Sequence, residues 1–266
     1  MKGLEQKALE FATKKHEGQY FIDGTNRPYI EHCEGVYIHL LTYLPDNIEK
    51  RDIIGATALL HDTLEDTDTT YEELLENFGK EVADNVKALT KDEKLPYEDR
   101  LQDSINRILA TSKEAQMVKL ADRYFNLLDI PNTWGYEKCK SYVEEGRLIR
   151  DSLGESNLTL RNLLNNNIKK YSKKLERKYK EGEFMEYFMY EEKLHAYDND
   201  TTFTLVFNRG KWEISQLSYA ELLHENARMQ PLTASEAKLM AKVSPTAVIE
   251  SIKKTLNYEE ERNPLE

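Results

Sequence analysis

Residues 53–67 read IIGATALLHDTLEDT and join an apolar run to a cluster of ionisable side chains. The run is hydrophobic nearly all round, which predicts a helix at the centre of a domain with both faces covered. His61 and Asp62 end it, and Glu65 and Asp66 follow within one turn. Burying such groups without partners costs on the order of several kcal/mol, so a metal ion, mutual pairing or exposure at the mouth of a cleft must compensate.

Further helices are predicted on both sides of this segment because apolar residues recur at three- and four-residue spacing. They contain the stripe Leu4, Ala8, Phe11 and Ala12, the range Cys33–Leu44, a capping box from Thr70 to Glu73 that opens a helix towards Phe78, and the ranges Glu98–Ala110 and Met117–Leu128. No strand is expected before about residue 200. The sequence therefore predicts a mainly α fold.

The chain changes character after residue 165. Residues 169–182 form a strongly basic stretch, which we interpret as a helical linker between a domain at 1–168 and a smaller α+β module at 183–266. A hairpin is predicted around Asn208-Arg209-Gly210, because β-branched and aromatic residues flank that turn. Helical patterns that would cover the hairpin occur at 218–228, 233–242 and 246–256.

Composition limits the class of protein. The net charge of −11 argues against wholesale, sequence-independent binding of nucleic acids. No apolar stretch approaches the roughly 18 residues of a membrane helix, and the first residues do not look like a secretory signal. The two cysteines, Cys33 and Cys139, are too few for a disulfide framework and fit a reducing compartment. We expect a cytoplasmic protein without membrane contact.

Two residues elsewhere in the chain extend the ionisable cluster. His32 and Asp122 each adjoin an apolar helix surface, as His61 and Asp62 do. Imidazole together with carboxylate is a ligand mixture that suits manganese, iron or zinc, whereas magnesium and calcium favour all-oxygen sites.

Three blocks in order carry a resemblance to a known family. They are PYIEH at 28–32, ALLHDTLEDT at 58–67 and VKLADRYFNL at 118–127. The chain resembles the HD-domain hydrolases of the RelA/SpoT type, in particular the small stand-alone alarmone hydrolases of the metazoan type, over about residues 1–155. The resemblance implies a multi-helix HD domain. It also implies manganese-dependent hydrolysis of the 3′-pyrophosphate of guanosine alarmones, giving GDP or GTP and pyrophosphate from ppGpp or pppGpp.

The same resemblance implies roles for individual residues. Those that would bind a single Mn²⁺ are His32, His61, Asp62 and Asp122. Glu65 and Asp66 match the family's acidic pair, which would deprotonate the attacking water and protonate the leaving oxygen, without a decision on which does which. Asn126 lies one helical turn after Asp122 and would contact the nucleotide sugar, while Tyr142 would touch the distal phosphates.

The sequence departs from the family in the loop before His32. A basic pair that would bind guanine and phosphate is replaced by Phe21 and Ile22. Phe21 or Tyr20 is expected to stack on a base, because stacking needs a flat face rather than a charge. The nearby cations that substitute for the lost charge are Lys14, Lys15 and Arg27, of which Lys15 is taken as a substrate-binding candidate. Cys33 replaces the usual proline after His32, which we interpret as a structural change.

Alternatives to the guanosine alarmone remain open. The same chemistry could act on NADPH, an adenosine alarmone or a pyrophosphorylated RNA 3′ end, the last with a contact through the basic linker. In another class, the domain could be a nucleotide-binding regulatory module or an antitoxin. The role of the C-terminal module and the oligomeric state, a homo-oligomer included, are not determined by these residues.

Overall fold

The computed structural model describes residues 3–21, 26–128, 130–131, 134–182, 184–190, 193–198, 204–215, 230–232, 234–241, 245–246 and 248–249. The chain divides into two compact units. One consists of residues 1–133 and 141–172, and the other of residues 134–140 and 173–266.

Helices make up the chain before the first strand. They are α1 (Gly3–Lys15), α2 (Ile30–Tyr43), α3 (Arg51–Leu60), α4 (Thr63–Asp66), α5 (Tyr71–Phe78), α6 (Lys80–Leu89), α7 (Tyr97–Thr111), α8 (Lys113–Asn126), α9 (Tyr136–Leu153) and α10 (Leu158–Lys180). The mainly α fold of this region is confirmed. Within the described residues, no helix combines the length and the apolar character that a membrane span requires.

Local signals set several helix ends as expected. At the start of α5, Thr70 Oγ1 accepts from the Glu73 N–H at 3.2 Å, and the Thr70 N–H donates to Glu73 Oε2 at 2.9 Å. This is the predicted capping box, which satisfies N–H groups that have no partner within the helix. Gly79, with φ of 81°, ends α5. Helix α2 begins at Ile30 rather than Cys33, so His32 lies in its first turn.

Helix α3 is the central helix of the first unit. Every residue from Ile54 to Leu60 is buried, and the helix packs against α1, α2, α6 and α8. Full burial of one leucine side chain contributes about 1.5–3 kcal/mol to the free energy of unfolding. Burial of this segment therefore contributes much of the domain's stability. The central position predicted from its all-round hydrophobicity is confirmed, and it places His61 at the end of the most buried helix.

The second unit contains an antiparallel sheet and a short helix. Its elements are β1 (Met185–Tyr190), β2 (Lys193–Asp198), β3 (Thr204–Asn208), β4 (Lys211–Ile214), β5 (Gln230–Leu232) and α11 (Ala234–Met240). The strand order in the sheet is β4-β3-β2-β1-β5. The predicted hairpin is β3–β4. Arg209 and Gly210 have φ of 48° and 83°, as a two-residue turn with both central residues at positive φ requires.

The expectation that no strand precedes residue 200 is wrong, because β1 and β2 lie before it. In β1 the adjacent Tyr187 and Phe188 are both buried, so both faces of the strand are covered and the alternation that marks a half-buried strand is absent. The enrichment in aromatic residues was the available signal. The helical pattern at 218–228 and most of that at 246–256 lie outside the described residues.

Candidate metal centre and active site

Four side chains from three helical regions converge in the first unit. His32 comes from α2, His61 and Asp62 from the end of α3, and Asp122 from α8. The closest pairs are His61 Nε2 to Asp62 Oδ2 at 3.1 Å, His32 Nε2 to His61 Nε2 at 3.3 Å, and His32 Nε2 to Asp62 Oδ2 at 3.4 Å. Asp122 Oδ1 lies 3.5 Å from His32 Nε2 and 3.7 Å from His61 Nε2.

These distances test whether one ion could be held. Nitrogen and oxygen donors about 2.1 Å from a shared cation lie roughly 3–3.5 Å from each other. The observed separations of 3.1–3.7 Å are close to that spacing, and the donor side chains of His32, His61 and Asp122 are all buried. The residues present therefore fit a divalent cation.

The electrostatics of the cluster favour a bound cation. Burial acts to raise the pKa of Asp62, but His61 and His32 outweigh it and hold that pKa below its usual range. Burial also acts to raise the pKa of Asp122, but Lys119 and the two histidines outweigh it and hold that pKa below its usual range. Burial acts to lower the pKa of His61, yet the Asp62 and Asp122 carboxylates raise it above its usual range. Two anionic carboxylates thus stabilise positive charge at this point.

Two hydrogen bonds orient Asp62 and His61, the predicted ligands at the end of α3. The Tyr29 hydroxyl donates to Asp62 Oδ2 at 2.8 Å. His61 Nδ1 lies 2.8 Å from the carbonyl oxygen of Ala58, and because a carbonyl only accepts, the proton is on Nδ1. His61 Nε2 therefore faces the cluster, where a bound cation would take the place of a proton on this nitrogen. Such outer contacts fix the tautomer and the ring orientation of a metal-binding histidine.

Asp122 is held from its own helix. Lys119 Nζ donates to Asp122 Oδ2 at 3.0 Å, and Asn126 Nδ2 donates to Asp122 Oδ1 at 2.6 Å. Lys119 and Asp122 are both buried, so their ion pair is poorly screened by solvent. The expectation that Asn126 and Asp122 face the same side of the helix agrees with this contact.

The acidic pair lies one turn beyond Asp62, in the short helix α4. Glu65 Oε1 accepts from Lys91 Nζ at 2.8 Å, and its Oε2 accepts from the Lys91 backbone N–H at 3.0 Å. The Asp66 residue is exposed to solvent, yet desolvation is the largest cause that raises its pKa to about 6, followed by the charges of Asp62 and Glu65. The Glu65 carboxylate is thus paired with the Lys91 ammonium. Asp66 retains a proton more readily than an ordinary aspartate.

Phe21 and Tyr142, the two aromatic residues predicted to bind substrate, each lie against an arginine side chain. The Arg27 guanidinium stands 4.3 Å from the Phe21 ring centroid, and the Phe21 and Tyr29 centroids are 6.0 Å apart. Tyr29 connects Phe21 to the metal-binding cluster through its hydrogen bond with Asp62. The Arg123 guanidinium lies 3.8 Å from the Tyr142 ring, and burial raises the pKa of Tyr142 to about 12.

Lys15 has partners of its own. Its Nζ lies 2.9 Å from Asp68 Oδ1 and 3.1 Å from Glu73 Oε1. These contacts tie the end of α1 to the segment that follows α4. The Lys15 ammonium therefore forms ion pairs with both carboxylates. Its contact with substrate stays a prediction.

Several supporting residues were not singled out from the sequence. Tyr29 lies three residues before His32, and Lys119 lies three residues before Asp122. Residues at this spacing are neighbours on a helix, so the spacing could have indicated both supporting residues. Lys91 is 26 residues from its partner Glu65, and no local pattern could have indicated that contact.

The chain is similar to known proteins of one family. The model of the HD domain family matches residues 8–149. A relative from Danio rerio named guanosine-3′,5′-bis(diphosphate) 3′-pyrophosphohydrolase MESH1 is 39% identical over 140 residues, which are 51% of this chain and 76% of the relative. The Homo sapiens protein of that name is 34% identical over 161 residues, covering 59% and 88%.

A solved structure supports the same relationship. It is that of a metazoan ortholog of SpoT that hydrolyses ppGpp, and it superposes with a TM-score of 0.57 at 27% identity, covering 64% of this chain and 96% of the other. The chain therefore belongs to the HD domain family, and within it to the group that contains the MESH1 relatives.

Proposed function

We propose that this chain hydrolyses the 3′-pyrophosphate of guanosine alarmones, converting ppGpp or pppGpp to GDP or GTP and pyrophosphate. The observation that carries the proposal is the convergence of His32, His61, Asp62 and Asp122 at donor distances of 3.1–3.7 Å. This convergence occurs in a chain similar to relatives named guanosine-3′,5′-bis(diphosphate) 3′-pyrophosphohydrolase over most of their length. Fold alone does not define a substrate, so the site and the relatives support the proposal together.

The cofactor that we propose is Mn²⁺, held by the two imidazoles and two carboxylates of the cluster. This donor mixture is also compatible with iron and zinc and is less suited to calcium or magnesium. When bound, such a cation supplies Lewis acidity towards phosphoryl oxygens and lowers the pKa of water.

Glu65 and Asp66 would carry out the two proton transfers of the reaction. Hydrolysis adds water to the phosphorus bonded to the 3′ oxygen and breaks the bond between these two atoms. One proton leaves the water, and one proton reaches the 3′ oxygen. Because desolvation raises the pKa of Asp66, we propose Asp66 as the donor of the second proton, which leaves Glu65 to accept the first.

The substrate groups have candidate partners around the cluster. Asn126, next to Asp122, would contact the sugar, and Tyr142, backed by Arg123, would contact the distal phosphates. Phe21 would stack on the base. We assign Lys15 only a peripheral electrostatic role towards phosphate, since its ammonium has two carboxylate partners.

Direct assay tests the proposal. The Mn²⁺-loaded protein, its Asp62→Ala variant and the exposed-site control Asp99→Ala are incubated with ppGpp, and pyrophosphate and phosphate are followed separately. We expect pyrophosphate from the wild type and the control but none from Asp62→Ala. Metal binding without turnover would instead support a binding module. A Glu65→Gln variant that keeps all biological activity would favour the same conclusion.

A second candidate keeps the chemistry and changes the nucleotide. Its support is the pairing of Phe21 with Arg27, since a stacking surface does not distinguish guanine from adenine. NADPH and an adenosine alarmone assayed beside ppGpp would decide by comparison of kcat/KM. An RNA 3′ end would show activity that falls steeply with salt and is lost when the lysines of residues 169–180 are neutralised.

The cysteines bear on the compartment. Cys33 and Cys139 are both buried, and neither forms a disulfide bond. Cysteines that stay reduced fit a reducing environment, and we therefore propose that the protein is cytoplasmic. Cell fractionation with an antibody against the chain checks this assignment.

A further inference from the structure

A hydrogen-bonded pair outside the proposed catalytic set reaches the acidic residues from α1. His16 directly follows α1 and is buried, with 3% of its surface exposed. Its Nδ1 lies 2.6 Å from Gln19 Oε1. Gln19 Nε2 donates to the backbone carbonyl oxygen of Asp66 at 2.6 Å, across 47 residues of sequence. The pair thus connects the end of α1 to the last residue of α4.

The direction of each hydrogen bond follows from its partners. The Asp66 carbonyl only accepts, so the Gln19 amide must present its NH₂ group to it and its oxygen to His16. An amide oxygen also only accepts, and the His16 proton is therefore on Nδ1. Burial lowers the pKa of His16, which keeps the ring neutral near neutral pH. The neutral imidazole is thus a fixed donor that orients the Gln19 amide.

Gln19 is held by its backbone as well. Its N–H donates to the His16 carbonyl at 3.0 Å, and its carbonyl accepts from the Tyr29 N–H at 2.9 Å. The Tyr29 ring lies 5.2 Å from the His16 ring, while the Tyr29 hydroxyl donates to Asp62. Gln19 thus contacts the backbone of Asp66, and its hydrogen-bond partner Tyr29 contacts the predicted metal ligand Asp62.

Helix α4 needs such an anchor for a physical reason. It spans only Thr63–Asp66, so few backbone hydrogen bonds within the helix hold it. The carbonyl groups at a helix C-terminus lack partners inside the helix, and Gln19 supplies one for Asp66. A displacement of about 1 Å in a reacting group can lower a rate about 100-fold.

We propose that Gln19, oriented by His16, is a positioning residue that fixes Glu65 and Asp66 relative to the metal-binding cluster. The inference rests on the proposed function, in which these two carboxylates move the protons. His16 and Gln19 act through the backbone of Asp66 and are not catalytic residues.

The test is Gln19→Met, which keeps the length of the side chain and removes both hydrogen bonds. Its matched control is Gln6→Met, since Gln6 is exposed on α1 and bonds only to the neighbouring Glu10 in the described structure. We expect kcat for ppGpp to fall about 10–100-fold in Gln19→Met, because a displacement of about 1 Å in a reacting group can lower a rate about 100-fold. KM and the Kd for Mn²⁺ should stay at wild-type values.

A second pair of variants examines His16. Asn at this position keeps an N–H donor near the place of Nδ1, whereas Ala removes it. We expect His16→Asn to retain more of the wild-type kcat than His16→Ala does. A kcat of Gln19→Met equal to that of the control, equal losses in the two His16 variants, or a loss that parallels weaker Mn²⁺ binding would each overturn the inference.

Hydrogen exchange separates this inference from the proposed function. We expect the amides of residues 63–69 to exchange faster in Gln19→Met than in Gln6→Met, with the rest of the first unit unchanged. Faster exchange throughout the unit, or no change at 63–69, would reject the anchoring role. If the wild type hydrolyses no nucleotide, the proposed function fails, and the exchange result alone decides whether Gln19 anchors α4.

Discussion

The Tyr29 hydroxyl donates a hydrogen bond of 2.8 Å to Asp62 Oδ2, so a residue outside the proposed ligand set holds one of its members in place. The same ring contacts both the His16 and the His32 rings, with centroid distances of 5.2 and 5.5 Å. Desolvation and the nearby Asp62 charge raise the pKa of Tyr29 far above its usual range, so the phenol remains a donor at any ordinary pH.

Replacing Tyr29 with Phe should weaken metal binding. The change leaves the ring and removes the donor, and loss of an outer contact of this kind lowers metal affinity about 10–100-fold. Isothermal titration with Mn²⁺ measures the effect. Tyr97→Phe is the matched control, because Tyr97 is 74% exposed. Equal Kd values for the two variants would show that the hydroxyl does not support the cluster.

Mn²⁺ should stabilise the fold through Asp122. A ligand that binds only the folded state at about 100 times its Kd raises the free energy of unfolding by about 2.7 kcal/mol. We expect this gain in the wild type and in the exposed-site control Asp99→Asn, with little gain in Asp122→Asn. Urea unfolding with and without Mn²⁺ measures it. A full gain in Asp122→Asn would exclude Asp122 as a ligand.

Replacing Arg123 with Met should destabilise the first unit. Arg123 is buried, donates to Glu145 Oε2 at 2.9 Å and stacks on Tyr142. Leaving Glu145 without its partner costs about 1–3 kcal/mol in free energy of unfolding. The control is Arg147→Met, which breaks an exposed ion pair with Glu144 and should cost about 0–1 kcal/mol. Urea denaturation that finds equal losses would contradict the prediction.

Stability should fall in acid partly because of His39. Burial lowers the pKa of His39 from 6.5 to about 4, and its ring stacks on Tyr124 at 3.8 Å. Since the folded state binds this proton less readily than the unfolded state, the contribution is complete above pH 6.5 and is lost as the pH falls towards 4.

The variant His39→Phe keeps the stacking and removes the titrating group. We expect the decline in free energy of unfolding between pH 6.5 and 4 to be shallower in this variant than in the wild type. An identical slope in the two proteins would assign the acid sensitivity to other groups. His16 and His195, whose pKa values burial also lowers, would be the next to replace.

Local features of the fold were readable from the sequence because their partners lie within a few residues. The capping box of Thr70 and Glu73 needs only three intervening peptide bonds, and it is present in the structure. The segment before His61 is hydrophobic on all sides, which predicted a central helix, since such a helix is stable only where its whole surface is buried. Strands β1 and β2 escaped prediction because burial on both faces removes the alternating pattern.

The sequence by itself determined the helical domain, the hairpin at Arg209-Gly210 and which ionisable residues adjoin apolar helix surfaces, because each depends on short-range periodicity or turn chemistry. Only the tertiary structure decided how these residues are supported. The contacts of Lys91 with Glu65 and of Gln19 with Asp66 span 26 and 47 residues. Such contacts arise from how whole helices pack, and packing depends on the combined shape of many distant side chains rather than on any local pattern.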